Sequence, residues 1–226
     1  MKVSVVIPVY NEEGTIREII ERVQAVPVDK EIIVVDDYST DGTPDELKKL
    51  EAEGAIRLYR HEVNKGKGAA CRTGISKIEG DVVIIQDADL EYDPTDYPIL
   101  LAPIEKGRSK VVYGSRFLGA HKAMYFWHSV GNKMLTLVAN VLYNTTLTDM
   151  ETCYKVFTAD IARKLTLKSN RWGFDPEITA KILKMGHRIY EVPISYTGRE
   201  FDEGKKISWK DGFTIVWVLV KYRFLK

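Results

Sequence analysis

Along the first half of the chain, short apolar runs alternate with segments whose apolar positions recur every three or four residues. Val3 to Val9, Glu31 to Asp36, Ala55 to Arg60, Asp81 to Gln86 and Lys110 to Tyr113 are predicted as strands. Between the first two, Ile16, Ile19, Ile20 and Val23 fall on one stripe of a helix, with Arg17, Glu18 and Glu21 elsewhere on its surface. Thr43-Pro44-Asp45-Glu46 predicts a second helix start, combining a capping box with proline at the first helical position. Such alternation predicts an α/β fold with a mostly parallel sheet flanked by helices.

The second half is less regular. Helices are expected from Ser129 to Tyr143, from Pro176 to Met185 (capped by Asp175 and stopped by Gly186) and from Trp209 to Phe224, with a strand near Arg188 to Ile194. One domain spanning 1–226 is expected, divided near Gly114 to His121 into a regular half, 1–113, and a less regular half, 114–226. The last helix mixes Phe213, Trp217 and Val220 with Lys210, Lys221, Arg223 and Lys226. It suits an amphipathic helix at a membrane interface and equally a helix docked on the core.

Composition narrows the function classes. A net charge of +1 over 226 residues gives no general attraction to nucleic acid, so none is expected as a partner. Cys71 and Cys153 lack metal-type spacing and are expected to be small buried thiols in a reducing compartment. Pro8 and Asn11 interrupt the apolar start too early for a signal core, and the run from Phe213 to Val220 falls far short of the roughly 20 residues that span a bilayer. A cytoplasmic protein is expected, alone or peripheral on the cytoplasmic face of a membrane.

The candidate chemistry gathers at predicted strand ends. Val82-Val83-Ile84-Ile85-Gln86 reads as a strand covered on both faces, and Asp87-Ala88-Asp89 follows it directly. Two carboxylates one residue apart would emerge in the crevice where open α/β sheets bind ligands, and such hard oxygens suit Mg²⁺ or Mn²⁺ shared with a diphosphate. The other reading is a capped turn. Asn11, Glu12, Asp36 and Asp37 close the first two strands, where carboxylates can accept from a base or ribose and Tyr10 can lie against a base.

Asn64-Lys65-Gly66-Lys67-Gly68 opens a helical segment in which glycine permits close backbone approach and Lys67 can meet a diphosphate; a simple turn into a helix would use the same residues. The segment lacks Walker and dinucleotide spacing, which removes support from kinase and dehydrogenase readings. His61, His121, His128 and His187 show no ligand spacing and are expected to be ordinary surface or loop residues.

These motifs, in this order, resemble family 2 glycosyltransferases, and among them the polyprenyl-phosphate hexosyltransferases of the dolichol-phosphate mannosyltransferase type. The resemblance runs from Val5-Val6-Ile7-Pro8-Val9-Tyr10-Asn11-Glu12 to Lys205-Lys206-Ile207-Ser208 and implies a GT-A fold. It implies that Pro8, Tyr10, Glu12 and Asp37 form the base and ribose pocket and that Asp87, Ala88 and Asp89 meet metal and diphosphate. Arg116, in Gly114-Ser115-Arg116, would face the donor diphosphate or an acceptor phosphate. Asp149 and Glu151 would lie in the acidic motif beside the sugar pocket, and Arg199, Lys205 and Lys206 in a basic loop closing over the phosphates. Glu91 stands where mannosyl members commonly carry glutamine.

The function implied is metal-dependent, inverting transfer of a hexose from a GDP- or UDP-sugar to a polyprenyl phosphate, with Mg²⁺ or Mn²⁺ as cofactor. A hydroxyl acceptor would instead need a carboxylate base, Asp149 or Glu151. Met124-Tyr125-Phe126-Trp127 and the last helix suggest peripheral membrane contact. A nucleotidyltransferase and a non-catalytic nucleotide-sugar-binding protein are the more distant alternatives.

Overall fold

The computed structural model describes residues 1–198 and 209–225, with the side chains of 209–211 left undescribed. Seven strands, β1 (Val3–Val9), β2 (Lys30–Asp36), β3 (Arg57–Arg60), β4 (Val82–Ile85), β5 (Val111–Ser115), β6 (Lys155–Thr158) and β7 (Tyr190–Pro193), form one sheet in the order β3-β2-β1-β4-β6-β5-β7. Six run parallel, as the alternating pattern predicts, and β6 alone is antiparallel to both its neighbours. Helices α1 (Ile16–Ala25), α2 (Thr43–Ala52), α3 (Lys67–Ile75), α4 (Tyr97–Glu105), α5 (Phe126–Tyr143), α6 (Ala159–Ala162), α7 (Phe174–Lys184) and α8 (Trp209–Phe224) cover it.

Burial follows the sequence pattern. Every residue of β1 and β4 is buried, as a strand covered on both faces requires. Ile16, Ile19, Ile20 and Val23 of α1 are all buried, each contributing about 1.5–3 kcal/mol of apolar transfer. Helix α3 presses against the sheet at Gly74, where a Cβ would lie 2.4 Å from Val6 Cγ1. A smaller core of Ala139, Met150, Ala180, Ile215 and Leu219 joins α5, α7 and α8.

Several local expectations are corrected. Thr43 does not form a capping box: it sits at the first position of α2, and its hydroxyl instead accepts the Glu12 amide at 2.9 Å. Asp175 does not cap α7, which begins at Phe174, because its carboxylate is taken by the Lys155 ammonium at 2.6 Å. His61 is buried rather than superficial, its ring held between Asp37 Oδ1 (2.6 Å) and Thr73 Oγ1 (2.9 Å). Strand β6 and helix α4 were outside the predicted elements. Both cysteines are buried and unbridged, as expected.

Helix α8 docks on the core through one face, the second of the two settings its composition suits. It buries Ile215, Val218 and Leu219 against α5 and α7, while Phe213, Trp217 and Phe224 stay exposed. Among the described residues, no helix is long and apolar enough to cross a membrane.

Candidate active site at the carboxyl edge of the sheet

The chain leaves β1 in opposite directions toward β2 and β4, which makes the β1/β4 boundary the switch point where open sheets leave a crevice. Among the described residues, three of the four non-glycine residues with positive φ lie at this edge: Asn11 (55°) after β1, Tyr38 (68°) after β2 and Leu90 (62°) after β4. Strained backbone concentrates at functional sites when surrounding bonds over-determine it. Here they do. The Asn11 amide donates to Ser39 Oγ at 2.9 Å, and Asn11 Oδ1 accepts the Thr40 amide at 2.8 Å, lacing the first two strand ends together.

Pro8 is buried at the end of β1, while Tyr10 and Tyr38 expose their rings at the rim. Tyr38 was not singled out from the sequence; its exposure beside Arg60, whose guanidinium lies 6.0 Å from the ring centroid, is visible only in three dimensions. Glu12 accepts the Thr15 hydroxyl at 3.0 Å. Asp37 is buried, and its carboxylate accepts the amides of Lys65 (2.9 Å) and Gly66 (2.6 Å), so it fixes the approach to α3. The close backbone approach that Gly66 and Gly68 permit is made by the chain itself: a Cβ on either would lie within 2.5 Å of the Asn170 or Ser169 carbonyl oxygen.

Beyond β4, Lys67 Nζ lies 2.6 and 2.8 Å from the two oxygens of Asp87. Burial works against the Lys67 charge, but Asp87 outweighs it and holds the ammonium's pKa well above its ordinary value. Ala88 is buried between the two aspartates, and Asp89 Oδ1 accepts the Glu91 amide at 3.2 Å. Among the described residues, no group of three or more acidic, histidine or cysteine side chains is placed to hold a metal. The donor set still fits a hard cation, because Mg²⁺ is commonly held by one or two carboxylates plus substrate phosphates. Asp87 and Asp89 are the two carboxylates that would hold it, and Asp87 is also engaged by Lys67.

Antiparallel β6 brings the acidic motif to the same edge, since a reversed strand starts where its neighbours finish. Arg116 donates from Nε and Nη2 to the two Asp149 oxygens, both at 2.7 Å, and its backbone amide adds a third bond at 3.0 Å. Burial disfavours the Arg116 charge, and Asp149 more than offsets that, raising the guanidinium's pKa. Glu191 supports the turn from below by accepting the amides of Thr148 (2.9 Å) and Asp149 (3.1 Å). Glu191 was outside the sequence candidates, because no local pattern links residue 191 to 149.

Glu151 behaves differently from Asp149. Its Oε1 is sealed from solvent with no hydrogen-bond partner among the described residues, and burial, with the nearby Asp175 charge, pushes its carboxyl up to about 8. A chain of contacts joins the two acidic regions: Glu91 accepts the Tyr196 hydroxyl at 2.9 Å, and the Arg116 guanidinium sits 5.3 Å from the Tyr196 ring centroid. Arg199, Lys205 and Lys206 lie outside the described residues.

The model of the family described as "Glycosyl transferase family 2" matches residues 4–166. The chain is 33% identical over 216 residues to the low-salt glycan biosynthesis hexosyltransferase Agl6 of Haloferax volcanii, covering 93% of this chain but only 51% of that protein, about half its length. It is 30% identical over 217 residues to the undecaprenyl-phosphate mannosyltransferase of Micrococcus luteus, covering 91% of this chain and 87% of that one. The structure of glucosyl-3-phosphoglycerate synthase from Mycobacterium tuberculosis with Mn²⁺, UDP and glucosyl-3-phosphoglycerate superposes with a TM-score of 0.75 at 20% identity, over 100% of this chain and 81% of that one. The same synthase is also known with Mg²⁺ and UDP. Its likeness establishes a GT-A architecture, and the family match adds the chemistry: this chain belongs to glycosyltransferase family 2 and is a glycosyltransferase.

Proposed function

We propose that this chain transfers a hexose from a nucleoside-diphosphate sugar to a polyprenyl phosphate, inverting the anomeric carbon. The observation that carries it is the linkage of Asp89, Glu91, Tyr196, Arg116 and Asp149, which sets a buried arginine beside the acidic turn. Asp149 spends both oxygens on Arg116, so it is poorly suited to take a proton. A phosphate acceptor, already anionic at neutral pH, needs no such base. The named activity of the Micrococcus luteus relative supports the same acceptor class.

In this mechanism Pro8, Tyr10, Glu12 and Asp37 shape the base and ribose pocket, and Asp87, Ala88 and Asp89 form the floor under the diphosphate. Mg²⁺ or Mn²⁺ bound at Asp89 supplies Lewis-acid stabilisation of the departing nucleoside diphosphate. An oxygen of the lipid phosphate attacks the anomeric carbon from the face opposite the diphosphate. The glycosidic C–O bond breaks, and its electron pair leaves on the β-phosphate oxygen. Arg116, Arg199, Lys205 and Lys206 offset the repulsion between the two anions, and Lys67 keeps Asp87 oriented.

The lipid acceptor places the chain on a membrane surface, for which the cytoplasmic face is proposed. Helix α5 exposes Phe126, Trp127, Met134, Leu137 and Val141, and α8 exposes Phe213 and Trp217, with Lys221 and Arg223 in its last turn. Aromatic and basic side chains of this kind suit the headgroup boundary. A single 1–226 domain with donor and acceptor halves accommodates both substrates.

A hydroxyl acceptor is the second reading, favoured by Glu151 Oε1, which has no partner among the described residues and belongs to a carboxyl raised to about 8. A screen of GDP- and UDP-hexoses with Mg²⁺ or Mn²⁺ against a short polyprenyl phosphate and the corresponding alcohol separates them. A product mass of hexose plus polyprenyl phosphate is expected. Hexose transfer only to hydroxyl acceptors would overturn the lipid-phosphate reading.

A further inference from the structure

Gln86 is the first residue after β4, fully buried, and its side-chain amide is saturated on both ends. Oε1 accepts the hydroxyls of Tyr97 (2.9 Å) and Tyr154 (2.8 Å). Nε2 donates to the carbonyl of Asp87 at 3.0 Å and, more weakly, to that of Tyr92 at 3.5 Å. Carbonyls only accept, so the nitrogen must face them and the amide has one permitted orientation. The Gln86 backbone amide is itself held by the Val6 carbonyl of β1 at 3.0 Å.

The two carbonyls are the two ends of the 87–92 turn, which carries Asp87, Asp89 and Glu91 and includes Leu90 at φ 62°. A turn with a left-handed leucine persists only where its surroundings fix it. Tyr154 precedes β6 and Tyr97 opens α4, so the clamp is anchored on the strand beside β4 and on a covering helix. Tyr92 closes the turn by accepting the Cys153 amide at 3.0 Å through its hydroxyl and packing against Tyr154 with ring centroids 4.9 Å apart and planes tilted by 55°.

Resting on the nucleotide-sugar reading of this edge, we infer that Gln86 is a positioning residue. It clamps both ends of the acidic turn so that Asp87 and Asp89 meet the metal and diphosphate already oriented. It touches neither substrate, and it contributes by holding the carbonyls of Asp87 and Tyr92 so that the turn is formed before ligand arrives.

The test uses Gln86→Met, Tyr97→Phe, Tyr154→Phe and the triple variant, read by amide hydrogen exchange of 87–92, by calorimetric titration of Mn²⁺ with UDP or GDP, and by thermal melting. Gln86→Met strands two buried hydroxyls as well as the Asp87 and Tyr92 carbonyls, whereas the triple variant strands only the carbonyls and is expected to melt above Gln86→Met. In the triple variant, exchange across 87–92 should quicken about tenfold and the Kd for Mn²⁺ with nucleotide rise about tenfold, while exchange in α1 stays unchanged. Unchanged exchange in the turn, or a Kd within about twofold of wild type, would overturn the inference. Should Gln86→Met not fold, the single tyrosine variants decide by the same readouts, each moving them in the same direction by a smaller factor. Wild-type protein that takes up neither nucleotide would sink the nucleotide-sugar reading instead, and turn exchange in the triple variant would still decide whether Gln86 is the clamp.

Discussion

Arg116 and Asp149 hold each other in a two-pronged clasp, with both bridging N···O distances at 2.7 Å and both side chains buried. Removing either partner leaves an uncompensated charge. Asp149→Asn or Arg116→Met should therefore cost about 3–5 kcal/mol in urea unfolding, and Arg116→Lys should not restore it because an ammonium cannot reproduce the fork. A double-mutant cycle showing less than about 1 kcal/mol of coupling would contradict this.

Gly68 offers a test of the contact that seats α3. A methyl there would meet the Ser169 carbonyl oxygen at 2.5 Å and Phe174 Cβ at 2.9 Å, so Gly68→Ala must push the Ser169 segment away. The expected loss is about 1–3 kcal/mol in thermal or urea unfolding, together with weaker nucleotide binding because Lys67 shifts away from Asp87. Gly54→Ala is a useful contrast. Nothing stands within 4 Å of its added carbon, and the strain there comes from its φ of 71° alone.

Glu151 should leave a signature in the pH dependence of stability. Its carboxyl is raised from 4.5 to about 8 in the folded protein, so between those values the folded state holds a proton that the unfolded state has released. Stability from this group is then greatest at or below 4.5 and is lost as pH rises through about 8. Glu151→Gln, which stays neutral, should flatten that decline in denaturant titrations at several pH values. If the lipid-phosphate mechanism holds, the same variant should keep a pH–rate profile of wild-type shape. Loss of the rise in rate through pH 8 would point to a hydroxyl acceptor.

The exposed apolar faces of α5 and α8 predict flotation with anionic liposomes. Trp127 and Val141 are 78% and 74% exposed, so Trp127→Glu combined with Val141→Glu should abolish flotation while moving the melting temperature little. Retention of binding in that double variant would remove these faces from the membrane proposal.

The acidic residues at the carboxyl edge were legible in the sequence because they sit at the ends of strands with unbroken apolar runs. Asp87 and Asp89 follow four buried residues, and their place at the carboxyl edge follows from that alone. Strand β6 was not legible. It is only four residues long, it begins with the buried Lys155, and the Asp175 that neutralises that charge lies twenty residues away. Thr43 shows the limit of a local motif: the spacing was right for a cap, but tertiary contact gave its hydroxyl to Glu12. The same holds for Glu191 and Gln86, whose importance comes from partners remote in sequence.

The position of β6 also constrains how the chain can fold as it is synthesised. Strands β4 and β5 are not neighbours; residues 155–158 lie between them and pair with both. A nascent chain that has emerged only as far as Ser115 therefore carries β4 with one bare edge and β5 with nothing to join, and such edges invite pairing with other chains. Closure of the gap between β4 and β5 waits for about forty further residues, a contact separation that slows it. Ribosome-released fragments ending before Lys155 should accordingly aggregate or bind chaperones, whereas those extending past Thr158 can seal the gap.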